Sequence, residues 1–168
     1  MFHRHRSNRP ALRLAALVIA SLLTSACGNV LPRDFERLPL DRQVEEYELH
    51  LQKYGHPLSY ATAAIAEHGW SAAELAADRL KRGDQRLPAY EALKVIHLVQ
   101  TGGCPLKGTT SEAAVREFVA KHSASSVDGH FARVTLAAIE HNYTDPSWQV
   151  EACRRARKQP ADSRIERQ

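Results

Sequence analysis

The sequence has little of what marks chemistry or membrane crossing. An uninterrupted run of apolar or small residues near the start, 14–24, "LAALVIASLLT", is far shorter than the roughly 20 residues a transmembrane helix needs. Arg33, Asp34 and Glu36 downstream prevent it from being extended into one. There is no G-x-S-x-G elbow, no phosphate-binding glycine loop and no calcium loop. No two histidines stand four apart around a glutamate, so the helical zinc-site pattern is missing. No segment shows convincing strand alternation, and no hairpin dipeptide joins two such segments, which argues against a β-rich fold. There is no twin-arginine pair near the N-terminus.

What is present begins with the first 27 residues. Residues 1–13 carry Arg4, Arg6, Arg9 and Arg13 and no acid. The apolar run follows, then the small residues Ser25 and Ala26, then Cys27. A basic region, a short apolar region and a small-residue cleavage site are the parts of a secretory signal. The stretch "LTSAC", residues 23–27, resembles the lipobox of bacterial lipoproteins, although Thr24 stands where that family more often has an aliphatic residue. The resemblance covers the signal alone. It implies that residues 1–26 are removed and that Cys27 is acylated on its sulfur and on its new amine. Several acyl chains hold a protein at a bilayer far more firmly than one. Gly28, where an aspartate favours inner-membrane retention in this family, points to an outer membrane facing the periplasm in a Gram-negative host.

Removing the signal changes the charge argument. The full chain has 23 Lys and Arg against 19 Asp and Glu, and the signal holds four of the basic residues and none of the acidic ones. The chain from Cys27 onward therefore has a formal charge of zero, and no nucleic-acid partner is inferred. Residues 153–168, "CRRARKQPADSRIERQ", still hold six basic and two acidic residues. They read as a helix end with cations at its negative dipole terminus, followed by a frayed polar tail, 159–168. The other reading is a contact with anionic headgroups or an acidic partner. With Cys27 lipidated, Cys104 and Cys153 are left to pair in an oxidising compartment. Neither lies in a C-x-x-C motif, and "GGCPLKG" around Cys104 places no histidine beside it.

Residues 28–40 hold two prolines and read as a semi-extended tether that spans about 35–40 Å. The helical domain is expected over 41–158. Asp41 is the expected N-cap of a helix 42–54, with Val44, Tyr47, Leu51 and Tyr54 along one stripe. Pro57 opens an alanine-rich helix to about 68. Ser71 and Glu74 suggest a capping box for 72–82, with Leu75 and Leu80 inward and Gly83 as C-cap. Leu93, Ile96 and Val99 mark the buried side of 88–100. Thr109 and Glu112 suggest a second capping box for 111–121. "SASSVDG" reads as a loop, and 130–141 as a helix with Phe131, Val134, Ala138 and Ile139 inward. Asp145 and Pro146 suggest a cap and first turn for a last helix to about 158, with Trp148 facing inward. The fold class expected is all-α: a compact bundle of about six or seven short helices. An irregular solenoid-like stack would pair 57–69 with 71–82, 88–100 with 111–121 and 130–141 with 146–158.

No catalytic, metal or cofactor site is expected. Of His50, His56, His68, His97, His122, His130 and His141, only His97 lies in a clearly apolar helix, where a hydrogen-bonded core histidine is the plain reading. Trp70 and Trp148 read as side chains that pin helix starts. The expected function is a membrane-anchored periplasmic lipoprotein that binds or positions another envelope protein. Its expected partners are the lipid bilayer, through acylated Cys27, and an envelope protein. The alternatives are an immunity-type inhibitor of a periplasmic toxin and, behind it, a cell-wall enzyme whose site forms only in the fold.

Overall fold

The helical spacing becomes seven α-helices in the computed structural model, which describes residues 31–83 and 86–158. They are α1 (Leu40–Tyr54), α2 (Ser59–Ala66), α3 (Trp70–Arg82), α4 (Ala89–Thr101), α5 (Thr110–Lys121), α6 (Val127–Glu140) and α7 (Glu151–Lys158). One 3-10 turn, Phe35–Arg37, precedes them, and no strand occurs among the described residues. From Asp34 onward the described chain belongs to one compact unit. Cys27, the segment 1–26 and the tail 159–168 lie outside the described residues.

The all-α bundle is built around α4, whose Leu93, Ile96 and Val99 are fully buried. It packs against α2, α3 and α6, while α5 packs on α3 and α6. The reason is legible on α3, where Ala72, Ala73, Ala76 and Ala77 are all buried. Methyl-sized side chains on two sides of one helix let two neighbours approach it closely, and α3 takes both α4 and α5. This overturns the solenoid-like pairing. The main neighbours of α4 do not include α5, and α6 rests on α4 and α5 instead of pairing with the last helix.

Several local expectations change as well. Asp41 lies in the first turn of α1, and the N-cap position belongs to Pro39. Pro57 precedes α2, which starts at Ser59. Ser71 lies inside α3, whose N-cap is Gly69 with no side-chain bond. Half of the Thr109 box forms: its hydroxyl accepts from Glu112 N at 3.4 Å, but the Glu112 carboxylate accepts from Gly108 N at 2.6 Å, because Thr109 N donates to Leu106 O. Ser126 caps α6 by accepting from Gly129 N at 3.0 Å, so the helix begins inside the expected loop. On α6, Val134 is 42% exposed, and the inward positions are Ala132, Thr135, Ala138 and Ile139. The packed chain also starts before residue 41: Phe35 is buried and meets Tyr60 edge-on, with ring centroids 6.5 Å apart.

At the N-terminal end of α4 the core holds a buried carboxylate. Glu91 Oε2 accepts from Tyr47 OH at 2.8 Å and from Thr62 Oγ1 at 2.9 Å. The tyrosine oxygen in turn accepts from Leu58 N at 3.3 Å. Two hydroxyls thus compensate part of the desolvation of one charge and join α1, α2 and α4. Burial, with the Glu91 carboxylate next to it, pushes the Tyr47 phenol pKa up.

Candidate functional site

The two cysteines left by the sequence argument are bonded to each other. Cys104 and Cys153 form a disulfide with Cα atoms 5.3 Å apart, and both are fully buried. It fastens α7 to the loop after α4, and the surrounding backbone is shaped to receive it. Gly69 (φ 65°) starts α3 directly against the bridge: a Cβ there would lie 3.0 Å from Cys153 Sγ. The Glu67 carboxylate accepts from Glu151 N at 3.0 Å and so caps α7 from 84 positions away in sequence. The segment before α7 is stitched to the end of α4. Asp145 N donates to Thr101 O at 2.7 Å, Val150 N donates to Gly102 O at 2.9 Å and Trp148 Nε1 donates to Leu98 O at 2.9 Å. A side chain on Gly102 would collide with Val150 Cγ2 at 2.4 Å. Trp148 therefore pins the end of α4. It does not start a helix, because Asp145 and Ser147 form a turn and α7 begins at Glu151. Trp70 is the first residue of α3, half-buried, and its indole donates to Pro105 O at 3.3 Å.

The opposite end of α3 is open. A groove of about 510 Å³ lies between the C-terminal turn of α3, the start of α4 and α5. Leu80, Leu87, Ala114 and Phe118 form its floor. Among the described residues, Arg79, Lys81, Arg82, Lys121 and His122 line it with the acids Glu117 and Asp128; Arg79 is paired with Glu48, Arg82 with Asp78 and Lys121 with Glu117. Gly83 (φ 62°) turns the chain at the end of α3. The His122 ring stacks on Phe118 with centroids 3.7 Å apart, and its Nδ1 lies 2.9 Å from Phe118 O. Lys121 Nζ is 2.6 Å from Glu117, and this hydrogen bond holds the Glu117 carboxyl pKa below the usual range. An apolar floor whose described rim carries more Lys and Arg than Asp and Glu can seat an apolar side chain flanked by carboxylates.

The histidines do not converge. His97 is half-buried, rests on Phe131 with centroids 5.3 Å apart, and has no hydrogen-bond partner at Nδ1. It is a packed ring and not the hydrogen-bonded one expected, and burial lowers its pKa. His50 is buried between Tyr54 and His56, with centroids 4.9 and 5.5 Å away, and burial likewise lowers its pKa. Among the described residues no three His, Cys, Asp or Glu side chains gather closely enough to hold a metal ion. No described helix is long and apolar enough to cross a membrane. The groove escaped sequence reading because its lining spans residues 79–128 and comes from four elements. Comparison of the chain with protein-family models, curated proteins and solved structures finds no match.

Proposed function

We propose that the chain is a lipid-anchored envelope lipoprotein, acylated at Cys27, whose helical domain binds and positions another envelope protein without a catalytic role of its own. The observation that carries the reading is the use of the three cysteines. Cys104 and Cys153 are tied in a buried bridge, as suits an exported protein, and Cys27 ends a lipobox-like segment. Gly28, where an aspartate would favour inner-membrane retention, supports an anchor in the outer membrane with the domain in the periplasm. Anchoring raises the local concentration of the domain near its partner. The groove at the end of α3 is the binding face of this reading, and its partner is an apolar segment flanked by acids.

The test is affinity capture of the anchored protein from membranes, with wild type run beside a Lys81→Glu, Lys121→Glu pair. One resident envelope protein should be recovered with the wild type and depleted with the pair. Tight capture of a secreted toxin would make the protein an inhibitor instead. Capture that the pair leaves unchanged would move the binding face away from the groove.

A further inference from the structure

We infer that Asn142 is an N-glycosylation site, which accepts an oligosaccharide in the periplasm from a lipid-pyrophosphate carrier. The inference goes beyond the binding role but rests on the exported reading. Asn142, Tyr143 and Thr144 form an N-x-T acceptor triplet whose middle residue is not proline. The other two asparagines, Asn8 and Asn29, are followed two places later by Pro10 and Leu31, so neither begins such a triplet. An acceptor needs a surface position in an exported chain. Asn142, Tyr143 and Thr144 are all exposed, and among the described residues no hydrogen bond, ion pair or ring contact engages their side chains.

The fold uses only the backbone of this triplet. Tyr143 N donates to Ala138 O at 2.8 Å and Asn142 N to Ile139 O at 3.1 Å, which closes the end of α6. Gln100 Nε2 donates to Tyr143 O at 3.2 Å. Asn142 has φ 53°, alone among the described non-glycine residues with positive φ. Asparagine tolerates this conformation, and glycine takes it at no steric cost. The turn therefore accounts for residue 142 but for neither the exposed Tyr143 ring nor the Thr144 hydroxyl. The backbone on both sides is held: Lys107 Nζ donates to Glu140 O at 3.4 Å, and Asp145 N donates to Thr101 O at 2.7 Å. A sugar chain on Asn142 Nδ2 thus stands on a fixed stem and displaces no packed group. The groove meets α6 at Asp128, in its first turn, whereas Asn142 lies just past its end. A helix of 14 residues, about 21 Å, separates the two, so the glycan leaves the groove open.

The transfer joins Asn142 Nδ2 to the anomeric carbon of the donor sugar. The bond from that carbon to the pyrophosphate oxygen breaks, and the lipid pyrophosphate leaves with the electron pair. The amide gives one proton to a base of the transferase. Nothing is oxidised or reduced.

The test is peptide mapping, after reduction, of the natural full-length gene product recovered from its own host. The tryptic peptide from Val134 to Arg154 should carry added sugar mass, and fragmentation should place that mass on Asn142. Asn142→Gln and Thr144→Val should each abolish it, whereas Thr144→Ser should keep it, because serine also completes the triplet. Should Asn142→Gln fail to fold, Thr144→Val still decides, since the exposed Thr144 side chain holds nothing in place. Sugar mass that survives either variant overturns the inference. The N-terminus of the same sample separates the two claims. A chain that has lost residues 1–26 and has a bare Asn142 defeats the glycosylation site alone. A chain that still begins at Met1 with a bare Asn142 defeats the exported reading and the site together.

Discussion

The two ends of α3 are built in opposite ways. At its start, Gly69 sits 3.0 Å (measured to an added Cβ) from the Cys153 sulfur, and the bridge, Trp148 and Glu67 leave the backbone no alternative path. At its end, Gly83 also has positive φ, but a Cβ there meets nothing within 4 Å among the described residues, and the chain borders an open groove. One end is over-determined and the other opens onto a groove. The contrast teaches that a left-handed glycine has two different meanings in this fold. One is close packing against covalent chemistry, and the other is a simple helix stop.

The largest effect should come from cutting the bridge. Cys104→Ser with Cys153→Ser should lower stability by about 4 kcal/mol, because the bridge closes a loop of 49 positions. Denaturant unfolding measures the loss, and amide exchange should localise the loosening to α7 while the groove stays as protected as before. The glycine pair sharpens the contrast. Gly69→Ala should lose about 2–4 kcal/mol, from strain plus the collision with the sulfur. Gly83→Ala should lose about 1–2 kcal/mol, from backbone strain alone. Equal losses at the two positions would remove the distinction drawn here. Tyr47→Phe, which takes one of two donors from buried Glu91, should destabilise by about 1–3 kcal/mol at a site remote from both ends.

Acid should act before any of the carboxylates matter. Burial lowers the pKa values of His50, His68 and His97, so the folded state favours their neutral forms. The unfolded chain then binds more protons as pH falls below about 6.5, and stability declines toward the lowered folded values. Thermal unfolding across this range should show the decline, and His50→Gln should reduce it. At lower pH, Glu112 adds a second loss. The Gly108 amide and then Arg116 hold its pKa below the usual range, so its contribution disappears as it protonates. The smallest effect on stability should come from the groove. Lys81→Glu with Lys121→Glu should change unfolding by no more than about 0.5 kcal/mol while weakening partner capture.

Much of the bundle was legible because burial follows helical spacing. Val44, Tyr47 and Leu51 on α1, and Leu93, Ile96 and Val99 on α4, are inward as their spacing requires. The Thr109 N-cap and the Gly83 stop are local, and both form. What stayed hidden depends on distant partners. Ser71 and Glu74 look like a cap, yet α3 starts earlier because Gly69 is held against the sulfur of Cys153, far downstream in sequence. Asp145 and Pro146 look like a helix start, yet the chain there is bonded to the end of α4 and turns first. The hairpin pairing failed for a similar reason, since an alanine-rich helix packs on two sides and sequence order does not say with which neighbours.

The most direct test of the account is the intact mass of the natural protein recovered from a membrane fraction, followed by nonreducing peptide mapping. The account predicts a chain that begins at Cys27, carries fatty acyl mass on that residue, and links Cys104 to Cys153. A soluble chain that still begins at Met1, with Cys27 unmodified, would contradict it.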